Sequence, residues 1–325
     1  MAQAPVAGAS SFLAYGWETT FNSAVTCNKA FSQGVRLPTY DIDNDPEFVY
    51  ALGNQDMQAQ IAKTFKGTWG VEFIYSDCWF LRGILGSTAT KTGAGPYTYT
   101  WTVANGGIAN TQNSASINFG VDFVTTDSNQ VLTGCVMNSM TMTFAVGEPI
   151  RTRIEGWYAG ITKSSTLISQ ATVGESPMVF SQASLQFPSA TTIVDVQSVE
   201  LTFNRNNDPI FALGSRFPQA NVPKNREWAA RVSCTYELDS NFWDKLLGAA
   251  GGPQATVAEV ADLILTLTNG LGTTYTRSLV FTFANCFVHR GSLPASPEDV
   301  LKTDLDIRAR TCTSIIATNN TAAEP

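Results

Sequence analysis

Short runs in which apolar and polar residues alternate dominate the hydrophobic pattern of the chain. Such a period of two is typical of strands that bury one face. The clearest run is NSMTMTFAV at 138–146, where Met140, Met142, Phe144 and Val146 share one face. Similar runs lie between stretches rich in Gly, Asn and Pro, at 198–205, 231–238 and 276–284. The pattern predicts a mainly β protein.

Two segments, 76–86 and 239–251, show helical spacing instead. Asp77 and Asp239 stand where a capping side chain is expected, and a glycine ends each pattern, Gly86 in the first and Gly248 in the second. Each helix is predicted to insert a stripe of large apolar side chains into the side of a β domain: Phe80, Ile84 and Leu85 from the first, and Phe242, Leu246 and Leu247 from the second.

The chain repeats itself after about half its length. Asp77 matches Asp239, and NDPEFVYALG at 44–53 returns as NDPIFALG at 207–214. Further along the chain, matching positions such as Cys135 and Cys286 are separated by fewer residues. This smaller separation predicts a short deletion in the second copy, in the connection equivalent to 104–115. We therefore predict a tandem duplication. The predicted parts are a first domain at 1–165 with an N-terminal arm at 1–20, a second domain at 166–315, and a flexible tail at 316–325.

The stretch DIDNDPEF at 41–48 places three carboxylates at alternate positions, as a calcium-binding EF-hand loop does. That loop needs glycine at its sixth position and glutamate at its twelfth. Pro46 and Leu52 stand there, and the second copy replaces two carboxylates with Asn204 and Asn206. We therefore predict no metal site and no cofactor, and interpret the motif as a turn.

Each copy then continues into a long arm, 43–63 in the first and 206–226 in the second. Asp45 and Asp208 are expected to be extended because a proline follows each. Long loops in compact domains are commonly functional, and apolar side chains on an arm need a covering molecule. We therefore predict contacts between subunits along both arms: Asn44, Asp45, Pro46, Phe48, Tyr50, Leu52, Met57 and Ile61 in the first, and Asn207, Asp208, Pro209, Phe211, Leu213, Phe217 and Val222 in the second.

Charge and composition exclude several classes of protein. The chain has 27 acidic and 20 basic residues and no basic cluster, so it is not suited to gripping nucleic acid. A single histidine, His289, and the absence of nucleophile-elbow, phosphate-loop and dinucleotide motifs argue against an enzyme. Six scattered cysteines predict buried reduced thiols rather than a zinc site. The sequence shows neither a secretory signal nor a membrane-spanning run of about 20 apolar residues.

Several segments, taken in order, resemble the tail tube protein family of long-tailed bacteriophages and related archaeal viruses. They are AYGWETTFNSAVTCNKAF, the arm NDPEFVYALG, the helix DCWFLRGILG, GPYTYTW, and VLTGCVMNSMTMTFAVGEPIRTRIEGWYAG. The resemblance covers nearly all of the chain as two successive tube domains. It implies β-sandwich or barrel domains, each with a flanking helix, whose inner sheets join edge to edge in a ring.

The resemblance also implies a function in the virion. Stacked rings would form the tail channel that delivers the genome, after assembly in the host cytoplasm. Since six domains normally complete a ring, three two-domain chains would suffice, with six chains as the alternative. The implied partners are further copies of the chain, the tape measure protein and tail completion proteins, without a membrane.

Strand alternation predicts which residues line such a channel. If Val71, Phe73 and Tyr75 face the core, Glu72 faces the other way. By this logic the candidates for the lumen are Glu72, Glu155, Glu200, Thr202, Ser233, Thr235, Asp304 and Asp306. The same faces carry Arg151, Arg153, Arg231 and Lys302, so a mixed wall is expected, past which DNA moves without specific binding.

Two other functions fit an acidic β protein that is rich in aromatic residues. A carbohydrate-binding β-sandwich would use Trp17, Trp101 and Trp157 as platforms for sugar rings. It would not explain the paired apolar arms. A glycosidase would need two converging carboxylates, and the second copy does not repeat the acids of 41–48.

Overall fold

A computed structural model describes residues 11–52, 56–103, 113–123, 127–166, 176–187, 192–193, 195–235, 246–247, 262–269, 277–292 and 302–319. Within these ranges the fold is mainly β, as predicted. The six cysteines are all buried and none forms a disulfide, which confirms the prediction of buried thiols. None of the helices in the described ranges is long and apolar enough to cross a membrane.

The first half of the chain contains eleven strands and one short helix. They are β1 (Ser11–Trp17), β2 (Gln33–Asp43), β3 (Pro46–Val49), β4 (Ala59–Ala62), β5 (Lys66–Ile74), α1 (Leu81–Leu85), β6 (Thr90–Thr92), β7 (Tyr97–Thr102), β8 (Ala115–Val121), β9 (Ser128–Ala145), β10 (Arg151–Tyr158) and β11 (Gly160–Ser164). These bounds refer to the part of the half that the structure describes.

The second half begins with a 3-10 turn at Phe180–Gln182. The described strands that follow are β12 (Ala183–Gln186), β13 (Val196–Asn204), β14 (Asp208–Ile210), β15 (Ala220–Val222), β16 (Glu227–Thr235), β17 (Leu263–Thr268), β18 (Ser278–Ser292) and β19 (Lys302–Asn319).

The strands of the two halves pair in the same order. In the first half the order is β2, β5, β10, β9, β8, β1, and in the second it is β13, β16, β19, β18, β17, β12. All of these neighbours are antiparallel. The halves meet where β9 pairs with β13. Eight neighbouring strands of this larger sheet, from β2 through β9 and β13 to β18, are called here the continuous sheet.

Alternation along β9 explains how this sheet obtains its buried face. Met140, Met142 and Phe144 are fully buried, as predicted, and the threonines between them lie on the other face. Burial of such side chains contributes roughly 1.5–3 kcal/mol each. Val146 lies beyond the end of the strand and is 57% exposed, so its predicted place in the core is wrong.

The first helical prediction is confirmed in part. Gly86 ends the helix in the left-handed region with φ of 74°, but α1 covers only Leu81–Leu85. Asp77 does not cap it, because its Oδ1 instead accepts from the N–H of Trp79 at 3.3 Å in a local turn. The predicted side chains of the first stripe, Phe80, Ile84 and Leu85, are buried.

The second helical segment lies mostly outside the described residues, Phe242 included. Leu246 and Leu247 are helical and half-buried. The deletion is predicted in the connection equivalent to 104–115, and residues 104–112 of that connection also lie outside the described ranges.

Both predicted terminal segments are partly wrong. Within the expected N-terminal arm, Ser11–Trp17 forms β1 and pairs with β8. Within the expected tail, residues 316–319 belong to β19, which pairs with β18 and with β7. Apolar residues such as Ile315 and Ala317 are buried there. The sequence interpretation missed the end of this strand, and one of its two partners, β7, lies in the other half of the chain.

Candidate assembly surfaces

Each predicted arm contains a two-stranded hairpin, β3–β4 in the first arm and β14–β15 in the second. Both arms begin with the same turn. The N–H of Asp45 donates to Asp43 Oδ1 at 2.9 Å, and the N–H of Asn206 donates to Asn204 Oδ1 at 3.0 Å. Asp45 and Asn206 both have positive φ, 38° and 50°. The expectation that Asp45 is extended is therefore wrong, whereas Asp208 begins strand β14.

The arms carry most of the exposed large apolar side chains in the described chain. Leu52 and Leu213, at equivalent positions, are 107% and 106% exposed. The other predicted arm residues that are exposed are Phe48, Tyr50, Met57, Ile61, Phe217 and Val222, with the polar Asn44, Asp45 and Asp208, while Pro46, Pro209 and Phe211 are half-buried. An apolar surface of this extent is typical of a contact with another molecule.

The base of the second arm packs against the first half. The N–H of Phe65 donates to the carbonyl of Arg216 at 2.7 Å, and the ring centroids of Phe65 and Phe217 are 5.3 Å apart. Asn207 is buried, with its N–H 2.7 Å from Asn138 Oδ1. The structure therefore uses Asn207 in a contact between the halves of one chain, where we had expected a contact between subunits.

Two buried arginines of the second half hold the segment that contains α1. Arg205 Nη1 donates to the carbonyl of Ile84 at 3.0 Å, close to the helix C-terminus, where a cation is favourable. Arg277 donates to the carbonyl of Ser76 at 2.9 Å. Arg205 is only 1% exposed, and burial, together with the smaller effect of nearby Arg226, lowers its pKa to about 10. The halves are thus joined by charge-assisted hydrogen bonds as well as by strand pairing.

Sequence reasoning missed the role of Arg205. The signal that would have revealed it is the alternation of buried positions along the strand. Val199, Leu201 and Phe203 form the buried face of β13, and Arg205 is the next position on that face. A cation at an otherwise apolar position indicates a buried acceptor.

The strand registers bring the predicted lumen residues onto one face of the continuous sheet. Glu72 lies opposite Arg153, and Glu200 lies opposite both Thr143 and Arg231. By strand pairing and alternation, the remaining candidates lie on the same face of the sheet: Glu155, Thr202, Ser233, Thr235, Asp304 and Asp306. This surface, opposite the core, is called here the polar face.

The polar face carries both signs of charge. Arg151 lies 3.5 Å from Glu72, Arg231 lies 3.9 Å from Asp306, and Arg153 pairs with Glu155. All of these side chains are at least partly exposed, so each pair contributes little to stability, about 0–1 kcal/mol. The acidic and basic groups nevertheless leave a face of mixed charge, as the sequence predicted.

The continuous sheet has an open edge at each end. At one end β2 pairs with β5 only, and at the other end residues 284–292 of β18 pair with β19 only, among the strands that the structure describes. An open edge presents backbone N–H and C=O groups to a further strand. The two ends of the sheet are therefore candidates for pairing with another chain.

The alternative of a sugar-binding protein loses its proposed platforms. Trp17, Trp101 and Trp157 are 9%, 1% and 3% exposed, so none offers a face to a ligand. The thiols are equally enclosed, since burial raises the pKa of Cys27 and of Cys312 to about 12. No group of three or more metal-ligating side chains occurs in the described part of the chain.

A mainly β chain with open sheet edges and uncovered apolar arms has the features of a structural protein that assembles with other protein molecules. A family model for the phage tail tube protein matches residues 8–248. The chain therefore belongs to the phage tail tube protein family and is a structural component of the virion tail. No curated protein gives a significant match to the chain.

Proposed function

We propose that this tail tube protein forms rings in which the continuous sheet of each chain joins that of the next. The rings stack into the channel through which the genome passes into the host. The observation that carries the proposal is a pair of open edges, one along β2 and the other along residues 284–292 of β18, beyond the stretch that pairs with β17. Edges that differ from each other favour head-to-tail pairing, and a rotation that closes leaves no edge exposed.

The chain is proposed to be two tandem tube domains. The identical strand order of the halves supports this. In addition, residue pairs between β9 and its neighbours become pairs between β18 and β19 when the same number is added to both residues. Gly160 opposite Thr133, for example, corresponds to Thr311 opposite Ala284. Each domain contributes four strands to the continuous sheet. Three chains then supply six domains to a ring, and six chains remain the alternative.

The polar face is proposed to line the channel. Its neighbouring acidic and basic groups, such as Arg231 and Asp306, partly neutralise each other. A wall without a basic cluster offers phosphate groups no strong attraction, so DNA slides along it. Contacts with the tape measure protein inside the channel and with tail completion proteins at its ends follow from the same proposal, as does assembly in the host cytoplasm.

Rings and tubes are directly observable. Concentrated purified protein is examined by negative-stain electron microscopy, and its mass is measured by light scattering during size-exclusion chromatography. We expect rings with threefold symmetry and a mass three times the 35.0 kDa of the chain, or stacks of such rings. A monodisperse monomer at every concentration would contradict the proposal, and a mass of six chains would support the alternative ring.

A further inference from the structure

The contact between the halves of one chain provides a template for the contact between chains. In it β13 lies along the second part of β9, with Asn204 opposite Ser139. Asn138 forms a bulge at the end of this pairing, because Ser139 lies opposite Glu155 while Met137 lies opposite Gly156. The bulge accepts the next residue of the incoming strand, since the N–H of Arg205 donates to the carbonyl of Asn138 at 2.9 Å.

The same bulge occurs at the equivalent position of β18. Arg290 lies opposite Asp306 and Val288 lies opposite Ile307, so that His289, the counterpart of Asn138, is the extra residue. His289 and Arg290 are exposed, whereas their counterparts in β9 are half-buried beside β13. Strand β18, which is described as far as Ser292, therefore offers the bulge of β9 and the three residues that follow it at an edge to which no described strand is added.

Strand β2 is the counterpart of β13. Each pairs on one side with the strand that follows its arm, β5 or β16, and each ends in the shared turn described above. In that turn Asp43 corresponds to Asn204, and Asn44 corresponds to Arg205. The other edge of β2 pairs with no described strand.

Placing β2 of one copy on β18 of another, in the register of the template, brings Asp43 opposite Arg290. Along the row of the continuous sheet that starts at Arg290, charges alternate through Asp306, Arg231 and Glu200. On the other side, Asp43 already lies opposite Lys66. The docked strand therefore continues the alternation of charge across the contact, and cross-strand pairs of opposite charge are favourable.

We propose that β2 of one copy pairs antiparallel with β18 of the next, and that Asp43 and Arg290 form the charge pair that selects this contact. The inference rests on the proposed function and deepens it. At the covalently linked contact the same two positions are the uncharged Asn204 and Ser139. Charges are needed only where the partner must be chosen. A pair of opposite charges favours this contact over registers that leave Asp43 or Arg290 without its partner.

A disulfide test reports the register. Asp43→Cys and Arg290→Cys are made as separate proteins, mixed, and oxidised under conditions in which the wild type forms rings. We expect a crosslinked dimer, of twice the 35.0 kDa chain mass, in the mixture and in neither variant alone, because the native cysteines are all buried. Arg308→Cys replaces Arg290→Cys in the control mixture, since Arg308 lies on a strand with both edges paired.

The outcomes of this test separate the two proposals. Absence of rings in the wild type overturns the proposed function. Rings without the crosslink, or an equal crosslink in the control, overturn the inference alone. A crosslink from Asp41→Cys in place of Asp43→Cys would show a register shifted along the strand and would also overturn the assignment of Asp43.

A series of charge-reversal variants tests whether the Asp43–Arg290 pair selects this contact. Asp43→Arg and Arg290→Asp should each raise the concentration needed for half-maximal ring formation by about tenfold or more, because like charges then meet. The double variant should restore assembly. Arg308→Asp, which changes the net charge as Arg290→Asp does, should have little effect. Circular dichroism melting confirms that each monomer is folded. Normal assembly of both single variants, or failure of the double variant to recover, would contradict the role of the charge pair.

Discussion

The two halves of the chain have the same strand order but different surroundings, and equivalent positions show the difference most clearly. Arg205 follows the first residue of the arm turn in the second half and is 1% exposed against the first half. Asn44 occupies the same place in the first half and is exposed, although its Oδ1 accepts from Arg216 Nη2 at 3.2 Å. The covered contact of the second half thus indicates what the uncovered surface of the first half is built to meet.

The arms show the same difference. The base of the second arm rests on Phe65 of the first half. Further out, Tyr50 of the first arm and Leu213 of the second are 63% and 106% exposed. Burying such side chains is favourable by roughly 25 cal/mol per Å². Because they are exposed in the described chain, this stabilisation is gained only when another molecule covers the arms. Substitutions can test the covered base of the arm and its exposed tip independently.

The largest effect on the monomer is expected at the covered contact. Arg205→Ala should lower the free energy of unfolding by about 3 kcal/mol, because it removes a buried charge-assisted hydrogen bond to the Ile84 carbonyl and leaves a cavity. Asn44→Ala, the matched exposed change, removes only a solvent-exposed hydrogen bond from Arg216 and should alter it by less than about 0.5 kcal/mol. Urea unfolding of dilute protein measures both. Equal effects would show that Arg205 does not anchor the halves.

An intermediate effect is expected from two thiols at equivalent positions of β9 and β18. Burial raises the pKa of Cys286 from the ordinary 9.0 to about 11 and that of Cys135 well above its ordinary value. Below pH 9 both folded and unfolded states hold the proton. Above it the unfolded state loses the proton first, so stability falls by about 1.4 kcal/mol per pH unit for each thiol until the folded pKa is reached.

Urea unfolding at a series of pH values from 8.5 to about 11.5 tests the contribution of the two thiols. Cys286→Ala should flatten the decline up to about pH 11, and Cys135→Ala should also flatten the decline above pH 9. Each variant is compared with the wild type at the same pH. A decline with the wild-type slope in both variants would show that other groups cause the loss of stability.

The sequence predicted those features of the fold that are encoded locally. Alternation placed Met140, Met142 and Phe144 in the core, and Gly86 correctly marked a helix end. Asp77 misled because a short polar side chain can form either a cap or a turn, and only the packing of its surroundings decides between them. Alternation along β13 places Arg205 on the buried face, but no local pattern reveals its acceptor, the Ile84 carbonyl, 121 residues away.

The repeat predicted equivalent positions only approximately. Matching the letters NDP aligned Asp41 and Asp43 with Asn204 and Asn206. The hydrogen bonds of the turns align Asp43 and Asp45 with them instead. The register of β2 against β5 shifts twice between Gln33 and Thr39. A bulge adds a residue without altering the apolar and polar pattern on either side of it, so such shifts escape alignment by letters.

The smallest effect on the monomer, and a large one on assembly, is expected at the arm tips. Leu52→Ser and Leu213→Ser should each change the free energy of unfolding by less than about 0.5 kcal/mol, because both side chains are fully exposed. If the arms are covered in the tube, each variant should form fewer or shorter tubes in negative stain. Val146→Ser is the control, since Val146 is exposed but lies off the arms. Tubes of normal length from both leucine variants would mean that the arms do not contribute to assembly, and would leave the sheet edges to support it alone.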